Sequence, residues 1–333
     1  MEEVIKEIVK NGITAPSGDN CQPWRFRIAG NTLFVYNIPE RDDSLYSSGQ
    51  RTSYIAHGAL LENMLITAQT LGYSAKTLLF PDSLEKTLVA CVTFETSKSS
   101  EHPLYRALSA RISNRKPYLK TSLNKDERGG LLGISDMSGK ANFMIIEDQN
   151  NIKKLAKLAS TNERILFENK ELHSFFFNHI NWSKQEDDKK SIGFYIKTLE
   201  LPPPARLIFK MIEYRNVLQL LNWFGFSKMI ALANSQIYSS ASAFGIITID
   251  KDTPEGFIFA GRLMERVWLT ATAMGLSMQP LAGILLLMNR IRDGNARSLS
   301  DKHVKLITAT HRDIEDIWGT DGKILTIMFR IGK

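Results

Sequence analysis

Two stretches of this chain read alike. Residues 58–76 (GALLENMLITAQTLGYSAK) and 261–279 (GRLMERVWLTATAMGLSMQ) align without a gap and agree at seven of nineteen positions. The matches are Gly58/Gly261, Leu60/Leu263, Glu62/Glu265, Thr67/Thr270, Ala68/Ala271, Gly72/Gly275 and Ser74/Ser277. In the first copy Leu60, Leu61, Met64, Leu65, Ala68 and Leu71 fall on one helical face, and Gly72 takes the position just past the helix end. Any amphipathic helix shares apolar positions, but nothing in that pattern requires the matched Glu and Thr. The match therefore predicts an internal duplication: two copies of one unit, packed as a pseudo-dimer within one chain. A length of 333 residues accommodates it.

Around these two helices the pattern predicts mixed secondary structure. An amphipathic run (Val4, Ile5, Ile8, Val9) reads as a helix, and Ala15-Pro16-Ser17-Gly18-Asp19-Asn20 as a polar turn. Trp24–Ala29 and Thr32–Asn37 flank Gly30-Asn31, a two-residue hairpin signal. Ser47–Arg51 reads as irregular, Gly58–Leu71 as a helix, Thr77–Phe80 and Thr87–Phe94 as strands, and Leu104–Ala110 as a helix. Further on, Asp126–Leu132 and Asn150–Leu166 are expected to be helical and Asn142–Ile146 extended. Residues 167–233, rich in aromatics and broken by Pro202-Pro203-Pro204, read as helices inserted over the body. Ala243–Ile249, the helix Gly261–Met274 and the strand Thr326–Arg330 complete the chain.

Three short segments carry polar groups in patterns suited to a ligand. The 15–20 turn presents hydroxyl and amide groups between a helix and a strand. Arg111-x-Ser113-x-Arg115 places two guanidiniums and a hydroxyl on one side of an extended segment, able to bracket a phosphate. Gly275 to Gly283 is a helix stop followed by a strand.

These segments resemble those of the nitroreductase-like flavoproteins. Ala15-Pro16-Ser17, then Asn20, Gln22, Pro23 and Trp24, is similar to the family's signature loop, which reaches across a dimer interface to the neighbouring subunit's flavin mononucleotide (FMN). Arg111-x-Ser113-x-Arg115 resembles the element that opens each subunit of that family. The resemblance implies that Pro16, Ser17 and Asn20 bind the cofactor from the first unit. It implies that Arg111 and Ser113 hold the phosphate and ribityl end. Arg115 is then expected near the N1/C2 carbonyl edge, where negative charge develops on reduction. Pro280, Leu281, Ala282 and Gly283 resemble the segment along the isoalloxazine, with the Ala282–Gly283 backbone next to N5. Relatives with Glu where Ala282 stands use only its main chain there. Arg330 resembles the basic residue that completes the phosphate site.

The tandem layout resembles the fused nitroreductase-like group that includes the mycobacterial Acg-type proteins. It implies an α+β fold, a nitroreductase-like unit duplicated in tandem, with mostly antiparallel sheets flanked by helices and an inserted helical lid. The expected units are 1–105, degenerate, and 106–333, including the lid at about 167–233. Only one composite site is complete, so one FMN per chain is expected. NAD(P)H is implied as electron donor, with a nitroaromatic or quinone-like small molecule as acceptor. The other implied reading is an FMN-storing protein whose lid closes off the flavin.

Composition removes other classes. A net charge of +7 arises from basic residues spread singly, and the run Glu186–Lys190 nearly cancels itself, so no nucleic-acid partner is expected. Apolar runs such as Ile284–Met288 are too short to cross a bilayer, and no membrane partner is expected. Two cysteines make neither a disulfide framework nor a metal site, and no metal ligand spacing occurs. No phosphate-binding loop or dinucleotide fingerprint is present. A cytoplasmic protein, monomeric as an intramolecular pseudo-dimer, is the expectation. His57 reads as a capping or packed residue, Cys21 as a small filler, and Arg51, Asp42 and Asp43 as surface charges.

Overall fold

In the computed structural model, which describes residues 1–134, 139–190, 192–320 and 322–333, α1 (Glu2–Gly12) buries Ile5 and Ile8 and leads into the 13–23 loop. The hairpin β1 (Trp24–Ala29) and β2 (Thr32–Asn37) turns at Gly30, whose φ of +62° is the left-handed conformation a tight hairpin requires. Then come α2 (Arg51–Thr70), β3 (Tyr73–Leu79) and β4 (Leu88–Thr96). They form an antiparallel sheet in the order β1-β2-β4-β3.

After the single turn α3 (Ala107–Ala110) comes α4 (Lys125–Leu132), started by a capping box between Asn124 and Glu127. The strand β5 (Ala141–Ile146) is followed by α5 (Gln149–Ala159) and α6 (Thr161–Glu168). The inserted region holds α7 (Lys170–Asn178), the parallel pair β6 (Ile180–Asn181) and β7 (Phe194–Tyr195) around α8 (Lys184–Lys190), then α9 (Pro203–Ile212), α10 (Arg215–Trp223) and α11 (Phe226–Tyr238). The chain returns through β8 (Ala243–Ile249), α12 (Pro254–Ala273), β9 (Ser277–Pro280), α13 (Gly283–Arg292), α14 (Asp301–Trp318) and β10 (Ile324–Gly332). Here the antiparallel order is β5-β8-β10-β9.

The two sheets share one plan. Counted along the chain, each places its strands first-second-fourth-third, and each carries a 20-residue helix between its second and third strands. The halves differ where the third strand meets the fourth. Residues 80–87 join β3 to β4 directly, whereas α13 and α14 stand between β9 and β10. This repetition is compatible with the duplication expected from the sequence.

The matched helices α2 and α12 cross at the matched glycines. A Cβ at Gly58 would lie 2.1 Å from Ile258 O, and one at Gly261 would lie 1.9 Å from Ile55 O. Both contacts keep a constant offset of 203 residues (55 to 258, 58 to 261), so the contact is reciprocal, as across a two-fold axis. One turn on, the matched glutamates are buried. Glu62 accepts from Arg262 Nε (3.1 Å) and Arg266 Nε (2.8 Å). Glu265 faces Asn63, the counterpart of Arg266, and Arg111 supplies the missing positive charge.

Several boundaries differ from the sequence reading. Both long helices begin earlier, at Arg51 and Pro254: the first turns Arg51-Thr52-Ser53 and Pro254-Glu255 precede the matched stretch and lie outside its apolar period. Thr253 Oγ1 caps α12 by accepting from Gly256 N–H (3.1 Å). The 150–166 helix is two, divided at Ser160. Arg51 and Asp42 are not surface charges. Arg51 binds Asp252 through Nε (3.0 Å) and Nη2 (2.8 Å), and buried Asp42 accepts from Ser53 Oγ (2.7 Å).

Because the atoms met at Gly58 and Gly261 are backbone, no side chain can yield. Gly261→Ala is expected to destabilise the chain by about 3 kcal/mol or more, and Gly58→Ala comparably. Urea unfolding checks this; a loss under about 1 kcal/mol at both sites would mean that the helices cross elsewhere.

Candidate functional site

The polar 13–23 loop holds backbone that few residues tolerate. Asp19, Asn20 and Gln22 have φ of 49°, 52° and 49°, in the left-handed region that asparagine and aspartate enter more readily than glutamine. The loop is tied down locally. Gln22 N–H donates to Ser17 Oγ (3.1 Å), Gln22 Nε2 to Asn20 Oδ1 (3.1 Å) and Arg41 Nη1 to Gln22 O (2.8 Å). Strain secured in this way concentrates at binding sites.

The 111–118 segment runs from the helix interface to the second sheet. Arg111 donates through Nη2 to Thr14 O (2.6 Å), lies over Trp268 at 4.5 Å, and has Nε 3.1 Å from Glu265 Oε1. Burial pushes the Glu265 carboxyl up to about 7, with Arg111 opposing the shift. Ser113 bridges to Met278, and Asn114 Nδ2 donates to Ser277 Oγ (2.9 Å), which fixes the segment along β9. Arg115 turns to the inserted region: its N–H donates to Glu200 Oε2 (2.6 Å) and its Nη1 to Thr198 O (3.0 Å).

Arg330 is fully buried on β10. It donates to Gln279 Oε1 (2.7 Å), Ile237 O (2.9 Å), Lys116 O (2.7 Å) and Asn114 O (3.3 Å), between Tyr118 and Tyr238 at 3.9 and 5.5 Å. A buried guanidinium needs such saturation, and these partners make Arg330 a strut between the C-terminal strand and the 114–118 segment.

Pro280 pairs with Phe329, Leu281 N–H donates to Met328 O (2.7 Å), and α13 starts at Gly283. Ala282, its N-cap, offers no side-chain acceptor, unlike Asn124, Asp148, Asn169, Thr253 and Ser300 at other helices. The N–H groups of Gly283, Ile284 and Leu285 have no acceptor in the described structure, although Ile284 and Leu285 are buried. Asn162 abuts this turn: a Cβ on Gly283 would lie 2.1 Å from its Oδ1, which also accepts from Tyr46 Oη (2.9 Å).

Two carboxyls complete the region. Asp19 and Glu163 lie deep in the protein but keep some accessible surface, and burial raises both to about 6. Glu163 Oε1 accepts from Tyr238 Oη (2.9 Å), and its Oε2 is buried without a partner. Sequence reasoning missed Tyr46, Asn162, Glu163 and Glu200; none stands in a motif, and only the fold brings them here. His57 is packed, with Nε2 3.1 Å from Asn37 Oδ1 and burial holding its ring at about 3. Cys21 is buried, its thiol pushed well up.

No family model matches this sequence. An uncharacterized protein of Mycobacterium tuberculosis is 25% identical over 283 residues, spanning 84% of this chain and 39% of that protein. A second M. tuberculosis protein, provisionally named an NAD(P)H nitroreductase, is 24% identical over 118 residues, or 35% of this chain and 34% of its own length. The chain is similar to nitroreductases. It therefore spans less than two fifths of the length of these relatives. Among solved structures, the FMN-dependent nitroreductase of Mycobacterium smegmatis in complex with NADPH aligns over 69% of this chain and 86% of its own, with 12% identity and a TM-score of 0.37. A Desulfitobacterium hafniense nitroreductase with bound FMN covers 70% and 89%, with 7% identity and a TM-score of 0.36.

Of the nitroreductase-like residues, the fold brings Asn20 and Arg115 under one cover, since both bond the inserted region. Arg111 and Arg330 are engaged with protein groups. A carboxyl whose folded pKa lies above its unfolded value binds more protons when folded, so stability falls as pH rises from about 4 through about 6. Glu163→Gln should therefore gain stability over the native chain by about 1–2 kcal/mol more at about pH 7 than at about pH 4. Denaturant titration at both pH values measures it; an equal effect at the two would mean that Glu163 titrates alike in the folded and the unfolded chain.

Proposed function

We propose that this chain binds one FMN between the 15–20 loop, the 111–115 segment and the start of α13, and passes electrons from NAD(P)H to a small acceptor of nitroaromatic or quinone type. The carrying observation is the buried, uncapped start of α13, three N–H groups that need an acceptor at the segment the resemblance singles out. FMN, when bound, supplies two-electron chemistry at its N5.

The residues present fit such a group. The N–H groups beginning at Gly283 suit ring acceptor atoms, and the Ser17 hydroxyl, which accepts from Gln22 N–H, stands in the loop opposite. Arg111 and Arg330 are saturated or charge-paired by the protein, so Arg115 is the cation left to answer the cofactor's negative charge. Its Nε and Nη2 have no hydrogen-bond partner among the described residues. Pro280, Leu281 and Ala282 set the entry to α13, Ser113 holds the neighbouring segment on β9, and Pro16 shapes the loop opposite. The first half has no helix after its third strand, so the arrangement occurs once, which supports one FMN per chain.

A specific observation favours a second reading, a protein that stores or sequesters FMN. The inserted region bonds both sides of the site, through Asn20 Nδ2 to Gly193 O (3.3 Å) and through Arg115 to Thr198 and Glu200. A lid held in this way opposes access. The anaerobic visible spectrum separates the readings. Flavin absorption that bleaches with NADPH or NADH is the expected result. A band that only dithionite removes would assign the sequestering role, and absence of flavin after incubation with FMN would overturn both. Arg115→Ala should weaken FMN binding about tenfold or more. Glu200→Ala, which frees the lid, should raise the reduction rate, as stopped-flow absorbance would report.

A further inference from the structure

We propose that the face formed by α9, α10 and α11 docks on an anionic lipid bilayer. α9 is apolar on two sides. Phe209 and Ile212 are buried within the inserted region, whereas Leu207, Ile208 and Met211 remain outside. At the end of α10, Trp223 and Phe224 are 86% and 79% exposed, and Met229 is exposed on α11. α10 packs against both α9 and α11, so these side chains belong to one three-helix unit. Single exposed apolar residues are ordinary, but a cluster led by adjacent, almost bare Trp and Phe marks an interaction surface.

Charge selects the occupant. Between residues 201 and 240, Arg206, Lys210, Arg215 and Lys228 stand against one carboxylate, Glu213. Arg206, Lys210 and Lys228 are exposed and Glu213 is half-buried. Pairing this face with itself in a second copy would set these cations against one another. An anionic bilayer answers them, and Lys and Arg beside Trp, Phe and Leu is the make-up of helices lying in the membrane interface. A cavity of about 370 Å³ opens beside Trp223, lined also by Arg215, Lys228, Lys302 and Glu168. Glu168 is already paired with Arg164 (2.8 Å) and Lys302 (3.4 Å), and Arg215 Nε has no partner. The cavity thus keeps excess positive charge where a lipid phosphate would arrive. No described helix is long and apolar enough to cross a membrane, so the contact is with its surface. This inference is independent of the flavin reading.

Flotation of the full chain with vesicles of equal parts phosphatidylglycerol and phosphatidylcholine tests it. At low salt the chain should float with these vesicles and much less with pure phosphatidylcholine. The double variant Trp223→Ser, Phe224→Ser should bind about tenfold or more weakly, and Lys210→Glu with Lys228→Glu should do the same. Unchanged melting curves show that these exposed substitutions leave the fold intact. Failure to float, or flotation undiminished by the Trp223/Phe224 variant, would overturn the proposal. So would a dimer that this variant dissociates and vesicles do not, since it would place a second copy on the face.

Discussion

The backbone contact between α2 and α12 sets the rest of the structure. Two helices can approach this closely only where neither carries a side chain, and Gly58 and Gly261 meet that condition reciprocally. The approach buries Glu62 and Glu265, and a buried carboxylate requires answering groups. Arg262 and Arg266 answer Glu62; for Glu265 the answer comes from Arg111, outside both helices. That single asymmetry draws the 111–118 segment to the interface. Through Thr14, it also ties that segment to the loop of the first half.

The candidate site inherits its geometry from this arrangement. One side is the strained loop after α1, the other the start of α13, and between them runs the segment anchored by Arg111 and Arg330. Two of the arginines that a motif reading assigns to a ligand are thus also held by protein groups. Both are saturated or ion-paired because guanidinium in a protein interior cannot be left unanswered. Arg115 differs in meeting the inserted region, so the insertion decides how open the site is.

That insertion has two unlike surfaces. Its inner side packs Phe176, Phe177 and Phe209 into a small core of its own and closes over the site. Its outer side leaves Trp223 and Phe224 bare, with Lys228 lining the same cavity as Trp223. A segment that covers a site from within and meets another surface from without can couple the two, because displacement of its helices moves the residues that bond Asn20 and Arg115.

By itself the sequence determined the repeated helix and its glycines, the hairpin at Gly30, the loop over 15–20, most of the individual strands and the existence of an inserted helical region. Each depends on local backbone preference or on a periodicity set by one buried face, and such information is written in consecutive residues. The starts of α2 and α12 were hidden because Arg51, Thr52, Ser53, Pro254 and Glu255 are polar or punctuating residues that extend no apolar period. Only the tertiary structure decided which protein groups Arg111 and Arg330 meet, that Tyr46, Asn162, Glu163 and Glu200 lie beside the candidate site, and that apolar and basic residues of three packed helices stay exposed. The physical reason is the same throughout. Charge pairing, desolvation and exposure depend on neighbours far apart along the chain, and those neighbours exist only once the two halves have packed.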